Sequence, residues 1–375
     1  MTRTRTARTA RPLALLAAAA LATGLAACGG EETPAEDAAG AATGGATEET
    51  APEAEGTAEA SEASGEAPTD AFPVEIEHVH GTTTIEEEPQ RVVSVGFTDQ
   101  DTLLALGVVP VGVRDWYGDQ PDAVWPWATD ELGDAEPTVL SSAELDFEAV
   151  AALEPDLIVG LSSGMTASDY ELLSQIAPTL AQSADFPDFG MPWQEKTLLT
   201  GQALGRSAEA EQVVADTEAL IDAAREEHPE FEGATASVAF LFDGQPGGYA
   251  STDTRARLMG DLGFETPAEF DELAGDAFFF NVSPEQVTTL DTDVLVWIVG
   301  SEAEAANIAA LPTRSALTAA QEGREVLTDA ELSGALSFSS PLSLPYALEE
   351  LVPELALAVD GDPATEVPSA AALGR

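Results

Sequence analysis

Residues 147–159, FEAVAALEPDLIV, return 137 positions later as residues 284–296, PEQVTTLDTDVLV. The two segments align without a gap, so that Glu148 falls on Glu285 and Asp156 on Asp293. Each copy has the pattern of a helix followed by a short aliphatic strand. Two copies at one internal spacing indicate a chain built from two similar halves.

Strands alternate with helices around both copies. In the first half the predicted strands are RVVSVG, VVPVGVR and DLIVG, and the predicted helices are DQDTLLALG, FEAVAAL and SDYELLSQIAPTLA. The second half gives the strands ASVAFLFDG and DVLVWIVG, and the helices TRARLMGDLG, PEQVTTL and PYALEELVPELALAV. Most of these strands are aliphatic on both faces, which is typical of parallel sheets covered by helices. We therefore expect an α/β fold with two lobes, and VEIEHVHGTTTIEE predicts a hairpin ahead of the first lobe.

A long helix is predicted between the two halves. The segment EKTLLTGQALG forms one helix that Gly205 ends, and Ser207 can cap the next, SAEAEQVVADTEALIDAAREEH. At 1.5 Å per residue this second helix is roughly 33 Å long, enough to reach across a whole domain. A single helix between two lobes is a stiff connection, so only a small relative motion is expected.

The amino terminus has the features of an exported lipoprotein. Four arginines precede an apolar run that is too short and too rich in small residues to be a good membrane span. Cys28, the only cysteine, follows Leu25-Ala26-Ala27, which resembles the bacterial lipobox. The alternative is a secreted protein with an Ala-x-Ala cleavage site and a free thiol. A lipidated Cys28 would anchor the protein to the outer face of the cell membrane without spanning it.

Five segments are therefore predicted. Residues 29–70 carry no Lys, Arg, aromatic or aliphatic side chain larger than Ala, so they should form a disordered tether. The predicted segments are a signal peptide (1–27), an acidic tether (28–71), an amino-terminal α/β lobe (72–192), connecting helices (193–230) and a carboxy-terminal α/β lobe (231–375).

The chain is strongly acidic, with a formal net charge of −54. Removal of the four leader arginines leaves 10 Lys and Arg against 68 Asp and Glu. This balance excludes a general affinity for nucleic acid or anionic lipid, because both depend on basic patches. The acidity serves either a cation-rich task or solubility in a salty environment.

From about His80 to Val359 the chain resembles the substrate-binding lipoproteins of ABC importers for iron–siderophore complexes and cobalamin. The resemblance rests on HGTTTIEEEPQRVVSVG, DTLLALGVVPVGV, FEAVAALEPDLIV, YELLSQIAPTL and SPLSLPYALEELVPEL, in that order, and the last looks most like the iron–siderophore branch. It implies two Rossmann-like lobes joined by one long helix, with a ligand cleft between them. It also implies a monomer without enzymatic activity or cofactor that delivers a ferric siderophore to transmembrane subunits. Cobalamin or haem is the alternative cargo, and the sequence does not choose among siderophore classes.

The same resemblance gives Glu148 and Glu285 a role. In this family one glutamate on each lobe docks into an arginine-bearing pocket of the transmembrane subunits. Paired carboxylates at equivalent sites suit a dimeric partner with two basic sites. The alternative is that both residues only interact favourably with the dipole of the helix that they begin.

Ligand contacts are expected in the loops that follow the strands, because open α/β sheets bind ligands at the carboxyl ends of their strands. Aromatic and cationic side chains there suit a large anionic complex such as a ferric tris-catecholate. Alternatively, Trp125 and Trp127 pack a loop, and Arg257 pairs with Asp261 on a helix surface. The predicted ligand-binding residues are Arg114, Trp116, Tyr117, Trp125, Trp127, Ser163, Met165, Trp193, Tyr249, Arg255, Arg257 and Phe338.

Two further patterns suggest other chemistry. Gly160-Leu-Ser162-Ser-Gly164 matches the nucleophile motif of hydrolases, but the only later histidine is His228, at the end of the long helix. His78 and His80 alternate on the predicted hairpin, yet two ligands rarely hold a metal, and we expect this hairpin to face solvent. A cell-surface serine hydrolase and a scaffolding lipoprotein without a small ligand therefore remain as alternatives of other classes.

Overall fold

The computed structural model describes residues 71–374. The predicted signal peptide, Cys28 and the tether up to residue 70 lie outside the described residues. The strands are β1 (Val74–His78), β2 (Gly81–Ile85), β3 (Val92–Ser94), β4 (Gly112–Arg114), β5 (Thr138–Leu140), β6 (Leu157–Gly160), β7 (Thr179–Ala181), β8 (Ala236–Phe242), β9 (Gln245–Tyr249), β10 (Phe279–Asn281), β11 (Val294–Trp297) and β12 (Glu325–Leu327). The α-helices are α1 (Asp99–Ala105), α2 (Thr129–Leu132), α3 (Phe147–Ala152), α4 (Ala167–Leu173), α5 (Trp193–Leu204), α6 (Ser207–Glu227), α7 (Thr254–Asp261), α8 (Ala268–Ala274), α9 (Glu302–Ala309), α10 (Thr318–Glu322), α11 (Ala330–Phe338) and α12 (Ser343–Val359).

The first lobe is built on a five-stranded sheet in the order β5-β4-β3-β6-β7, and every neighbouring pair is parallel. All five strands are short, and β3, β4, β6 and β7 are fully buried, as the aliphatic pattern predicts, whereas the edge strand β5 exposes Thr138 and Val139. The order reverses between β3 and β6, which is the switch point of a Rossmann-like sheet.

The predicted hairpin is present as β1 and β2, but it does not simply face solvent. The backbone N–H of Val79 donates to Gln182 beyond β7, and the hydroxyl of Thr83 donates to the carbonyl of Thr179 at 2.7 Å. His78 is consequently buried and contacts the Thr83 hydroxyl. The expectation of a solvent-facing histidine pair is therefore wrong, since this face of the hairpin packs on the sheet.

The second lobe has the sheet order β10-β9-β8-β11-β12, in which β8, β11 and β12 are parallel and β9 and β10 are antiparallel. Gly247 and Gly248 follow the predicted strand ASVAFLFDG and lie in β9, a strand that the sequence patterns did not predict. A Cβ atom at Gly247 would come within 2.3 Å of the Phe240 ring, and one at Gly248 within 2.8 Å of the Phe280 ring. Glycine is needed there because aromatic rings cover the strand.

The two repeated segments occupy equivalent places, each ending in the fourth strand of its sheet. Asp156 accepts the backbone N–H groups of Gln90 and Arg91 at 2.8 Å, just before β3. Asp293 likewise accepts the backbone N–H of Thr235 at 2.9 Å, just before β8. Each carboxylate therefore ties the start of the fourth strand of its sheet to the start of the neighbouring strand, which is β3 in the first lobe and β8 in the second.

The second copy differs in its helix. Residues Pro284–Leu290 form a 3₁₀ helix and not the predicted α-helix. The first copy is capped by the Asp146 side chain, which accepts the N–H of Ala149. The second has no side-chain cap, and it places Thr288 and Thr289 where the first has alanines, which lowers its α-helical propensity.

Helix α6 connects the lobes. Gly205, in the left-handed conformation with φ of 71°, separates it from α5, and Arg206 takes the cap position one residue before the predicted Ser207. Its 21 residues span about 32 Å. Ala210 near its start belongs to the core of the first lobe, and Ile221 near its end belongs to the core of the second. The prediction of two Rossmann-like lobes joined by one long helix is confirmed.

Among residues 71–374, no helix combines the length and the apolar character that a bilayer crossing requires.

Candidate functional site

An interlobe cavity of about 290 Å³ lies where the loops after β3, β4 and β6 face the second lobe. This is the switch-point edge of the first sheet, where open α/β sheets bind ligands. Both lobes contribute side chains. The cavity is lined by Phe97, Thr98, Trp116, Ser162, Phe189, Lys196, Thr252, Asp253, Thr254, Arg255, Phe278 and Ser337.

Trp116 is the predicted aromatic residue that reaches the cavity. It is half-buried, and its ring packs 5.7 Å from both Phe97 and Phe338, measured between ring centroids. Phe97 in turn lies 6.3 Å from Phe189, which is 46% exposed. A ligand in the cavity would therefore contact aromatic faces of the first lobe.

The other predicted aromatic residues of this region lie behind the cavity wall. Trp125 and Trp127 stack with centroids 5.0 Å apart, and Trp125 is only 3% exposed. Phe338 is 1% exposed, because Trp116, Trp125 and Trp127 surround it. Tyr117 is partly buried and donates a hydrogen bond to the Ser333 carbonyl across the lobes. Trp125 and Phe338 are therefore packing residues in this arrangement, as the alternative interpretation of the WPW segment proposed.

Two predicted arginines flank the cavity on opposite lobes. The Arg114 guanidinium lies 4.1 Å from the centroid of Phe97 and donates to the carbonyls of Val95 and Ser142. Burial lowers the pKa of Arg114 from its usual value. Because those donors are already engaged, Arg114 supports Phe97 from behind more than it faces the cavity.

Arg255 lines the cavity itself. Its guanidinium forms an ion pair with Asp253 at 2.9 Å, donates to Ser337 at 3.1 Å and covers the Tyr249 ring at 4.3 Å. Burial alone would lower the pKa of Arg255, but Asp253, Tyr249 and Tyr117 together outweigh it and the net shift is upward. Through this ring contact, Tyr249 supports the Arg255 guanidinium.

The remaining predicted ligand residues lie elsewhere. The Ser163 hydroxyl donates to Gly160 at 2.7 Å and accepts the N–H of Met165, so both belong to a turn. Trp193 and Arg257 line a separate cavity of about 630 Å³ beside α5, α6 and α7, which also has acidic Glu195, Glu218 and Asp261 on its wall. Arg257 does not pair with Asp261 as the alternative supposed, but donates to the Gly190 carbonyl at 2.9 Å.

Four buried charged residues at the cavity or close to it were not among the predicted contacts, and one of them is Asp253, which lines the cavity and is 6% exposed. Lys196, in the first turn of α5, lines the cavity and is 8% exposed. Asp99 and Asp101, at the start of α1, are 2% and 0% exposed. Burial lowers the pKa of Lys196, although the two carboxylates partly offset it. Burial likewise raises the pKa of Asp99 and brings that of Asp101 to about 6.

Asp101 also connects the lobes. One of its carboxylate oxygens accepts the indole N–H of Trp127 at 2.8 Å and the hydroxyl of Ser340 at 2.7 Å. Ser340 belongs to the connection between α11 and α12 in the second lobe. The cavity is therefore closed on one side by a polar contact and by the aromatic packing around Phe338.

The hydrolase arrangement is not formed by the predicted residues. The backbone N–H of Ser162 donates to the Asp99 carboxylate at 3.1 Å. His228 caps the far end of α6, where it contacts Glu230 at 2.9 Å and stacks on Phe231. In the described part of the chain, no group of three His, Cys, Asp or Glu side chains is placed to hold a metal ion.

Glu148 and Glu285 are both exposed, and each is the second residue of its helix. The equivalent carboxylate clamps at Asp156 and Asp293 place the two helices in corresponding positions of the two lobes. Neither glutamate is near the interlobe cavity lining, so a role in docking would not compete with ligand binding.

Comparison with known proteins identifies similar chains. A sequence model described as periplasmic binding protein matches residues 92–332. A crystal structure of a periplasmic solute binding protein from Mycobacterium smegmatis str. MC2 155 is 35% identical and covers 76% of this chain and 99% of that chain, with a TM-score of 0.69. PiaA of Streptococcus pneumoniae TIGR4, crystallised in complex with ferrichrome, is 26% identical and covers 77% of this chain and 99% of that chain, with a TM-score of 0.67. A Bacillus subtilis (strain 168) protein named "Probable siderophore-binding lipoprotein YfiY" is 28% identical over 231 residues, which are 59% of this chain and 67% of that protein.

Proposed function

The chain belongs to the periplasmic binding protein family, and from this we propose that it captures a ferric siderophore outside the cytoplasm and delivers it to an ABC importer. The names of similar proteins support this cargo, since one is a siderophore-binding lipoprotein and another was crystallised with ferrichrome. The chain itself supplies the observation that carries the proposal, which is the character of the interlobe cavity.

The cavity concentrates positive charge in an acidic protein. Nine Lys and Arg residues lie between residues 71 and 374. Two of them, Lys196 and Arg255, line the cavity, while Arg114 lies behind Phe97 and Arg257 lines the separate cavity beside α5, α6 and α7. The others hold peptide carbonyls or carboxylates elsewhere: Arg91, Arg206, Arg225, Arg314 and Arg324. Cations collected next to Trp116 and Phe97 suit a bulky anionic ligand with an apolar body.

The open cavity argues against a scaffolding role without a ligand. Such a role would require the aromatic loops to be packed shut, which holds for Trp125 and Phe338. Trp116 and Phe189, however, border an accessible cavity between the lobes. The packed rings therefore form the wall of a site and do not fill it.

Two further parts of the proposal concern delivery. Lipidation of Cys28 would keep the protein at the outer face of the membrane, close to its importer. Docking of Glu148 and Glu285 into two basic sites on the transmembrane subunits would align the cavity with the translocation path. Their exposure and their equivalent positions support this role.

The test is a tryptophan-fluorescence titration of the purified protein with ferric catecholate, hydroxamate and citrate complexes, cobalamin and haem. Trp116 borders the cavity and should report its occupation. Saturable quenching by a ferric complex, absent with the iron-free chelator and weaker in Trp116→Phe, is expected. A response only to cobalamin or haem would change the cargo, and no response to the whole panel would overturn the proposed function.

A further inference from the structure

Lys196 is the only lysine in the sequence, and it stands where lysine is least favoured. It is the fourth residue of α5, close to the helix amino terminus, where the partial positive charge of the helix disfavours another cation. It is also buried, with 8% of its surface exposed. A residue that breaks two local rules at once is expected at a functional site.

The Lys196 ammonium has no counter-ion in contact. Among residues 71–374, no carboxylate oxygen lies within 4.0 Å of it, and no side-chain hydrogen bond from it is formed. Asp99 and Asp101 are near enough to stabilise its charge electrostatically, while Arg257 opposes it. An ammonium with so little exposure and no hydrogen-bond acceptor in the protein is costly, because it has lost most of its contact with water without gaining a partner.

The other cation on the cavity wall is already neutralised. Arg255 is held by the Asp253 carboxylate at 2.9 Å and by the Ser337 hydroxyl at 3.1 Å. Lys196 is therefore the cavity-lining cation that still has its hydrogen-bonding capacity free. Its three N–H donors require oxygen acceptors, and the cavity is the side from which these can come.

We propose that Lys196 determines ligand specificity in the interlobe cavity, by receiving an anionic oxygen of the bound ferric complex. A carboxylate and a catecholate share this chemistry, whereas the oxygens of an uncharged tris-hydroxamate complex would satisfy the ammonium less well. This inference rests on the proposed function, and it adds that anionic ferric complexes are preferred over uncharged ones.

Asp99 and Asp101 have a supporting role in this arrangement. They lie at the start of α1, and each has one oxygen, Oδ1, without a hydrogen-bond partner among the described residues. Their charge opposes the lowering of the Lys196 pKa by burial. They are positioning residues, because Lys196 lines the cavity and neither of them does.

The first experiment compares two variants that lose the same charge. Lys196→Met removes the cavity ammonium. Arg225→Met removes a surface cation that pairs with Glu232 and whose side chain is 44% exposed. Dissociation constants are measured with a ferric tris-catecholate, ferric citrate and ferrichrome. Lys196→Met should weaken the binding of an anionic complex by about 10- to 100-fold, since a hydrogen bond to a charged group contributes about 1.5–3 kcal/mol. Its affinity for ferrichrome, and all affinities of Arg225→Met, should stay within about twofold.

A second measurement does not depend on the folding of a variant. Because the sequence contains one lysine, protein labelled with ¹³C at the lysine Cε gives a single lysine signal. Saturation with the diamagnetic gallium(III) complex of the same chelator should shift this signal and move its titration to higher pH.

The outcomes separate the two proposals. Wild-type protein that prefers ferrichrome, or a lysine signal unchanged at saturation, would overturn the role of Lys196 and leave a ferric siderophore as cargo. Equal losses of affinity in Lys196→Met and Arg225→Met would also overturn it, because they would reflect overall charge. Absence of binding by every ferric complex would remove the proposed function together with this inference.

Discussion

Replacement of Asp101 by asparagine should change how the stability of the protein depends on pH. This carboxylate is fully buried and accepts hydrogen bonds from Trp127 and Ser340 on opposite lobes. Burial raises the pKa of Asp101 from 3.8 to about 6, against the opposing effect of these hydrogen bonds and of Lys196. Glu131 adds to the upward shift.

The direction of the effect follows from proton binding. Between the two pKa values the folded protein keeps a proton that the unfolded chain has released, so the free energy of unfolding falls as pH rises. The stabilisation is fully present below the unfolded pKa of 3.8 and is lost above about pH 6. At about 1.4 kcal/mol for each pKa unit, the whole effect is about 3 kcal/mol, of which about 1.4 kcal/mol falls between about pH 5 and pH 8.

The Asp101→Asn variant has no titrating group at this position, so it does not lose this stabilisation as pH rises. Its free energy of unfolding, relative to that of the wild type, should therefore rise by about 1.4 kcal/mol from about pH 5 to pH 8. Urea denaturation at intervals across this range measures the difference. Asp276→Asn, in an exposed turn, is the matched control, and its difference from the wild type should stay within about 0.5 kcal/mol at every pH. A difference between Asp101→Asn and the wild type that does not vary with pH would refute the reasoning.

Two other outcomes follow from the geometry. The double variant Glu148→Ala, Glu285→Ala should bind its ferric complex with unchanged affinity but support little uptake into cells, and wild-type uptake would contradict the docking role. Gly334→Ala should lower the free energy of unfolding by about 1–3 kcal/mol, because a Cβ atom there would meet the rigid Trp125 ring at 2.8 Å. Its control, Gly260→Ala in α7, has no atom within 4 Å of the new Cβ and should be neutral or stabilising by up to about 1 kcal/mol in thermal denaturation.

The architecture could be predicted from sequence because local sequence patterns determine it. Aliphatic strands, helical periodicity and the repeat at residues 147–159 and 284–296 each act within a few residues. The errors arose where a neighbour distant in sequence sets the structure. Gly247 lies in a strand because β9 pairs with β8 and β10, and His78 is buried because its hairpin packs on β7.

The site was predicted less well for a physical reason. The rule that ligands bind beyond the carboxyl ends of strands pointed to loops that border the interlobe cavity, and Trp116 and Arg255 line that cavity. It could not separate a ring that faces the cavity from one that stacks behind it, as Trp125 does on Trp127. That distinction depends on the packing of the two lobes against each other, which no single segment encodes.

Lys196 shows what composition can and cannot reveal. A lone lysine in a chain of net charge −54 is a visible anomaly, but solubility explains the scarcity of lysine equally well. Only the fold places this residue in the same cavity lining as Arg255 and within the electrostatic influence of two buried carboxylates. In so acidic a protein, an anionic ligand is repelled by most of the surface, so the few cations must act at short range. Burial strengthens this short-range attraction, because a partly desolvated ammonium interacts with an anion far more strongly than one in water and is less screened by salt. The acidic surface and the proposed role of the buried lysine are therefore compatible, because the ammonium would act on an anionic ligand only at short range.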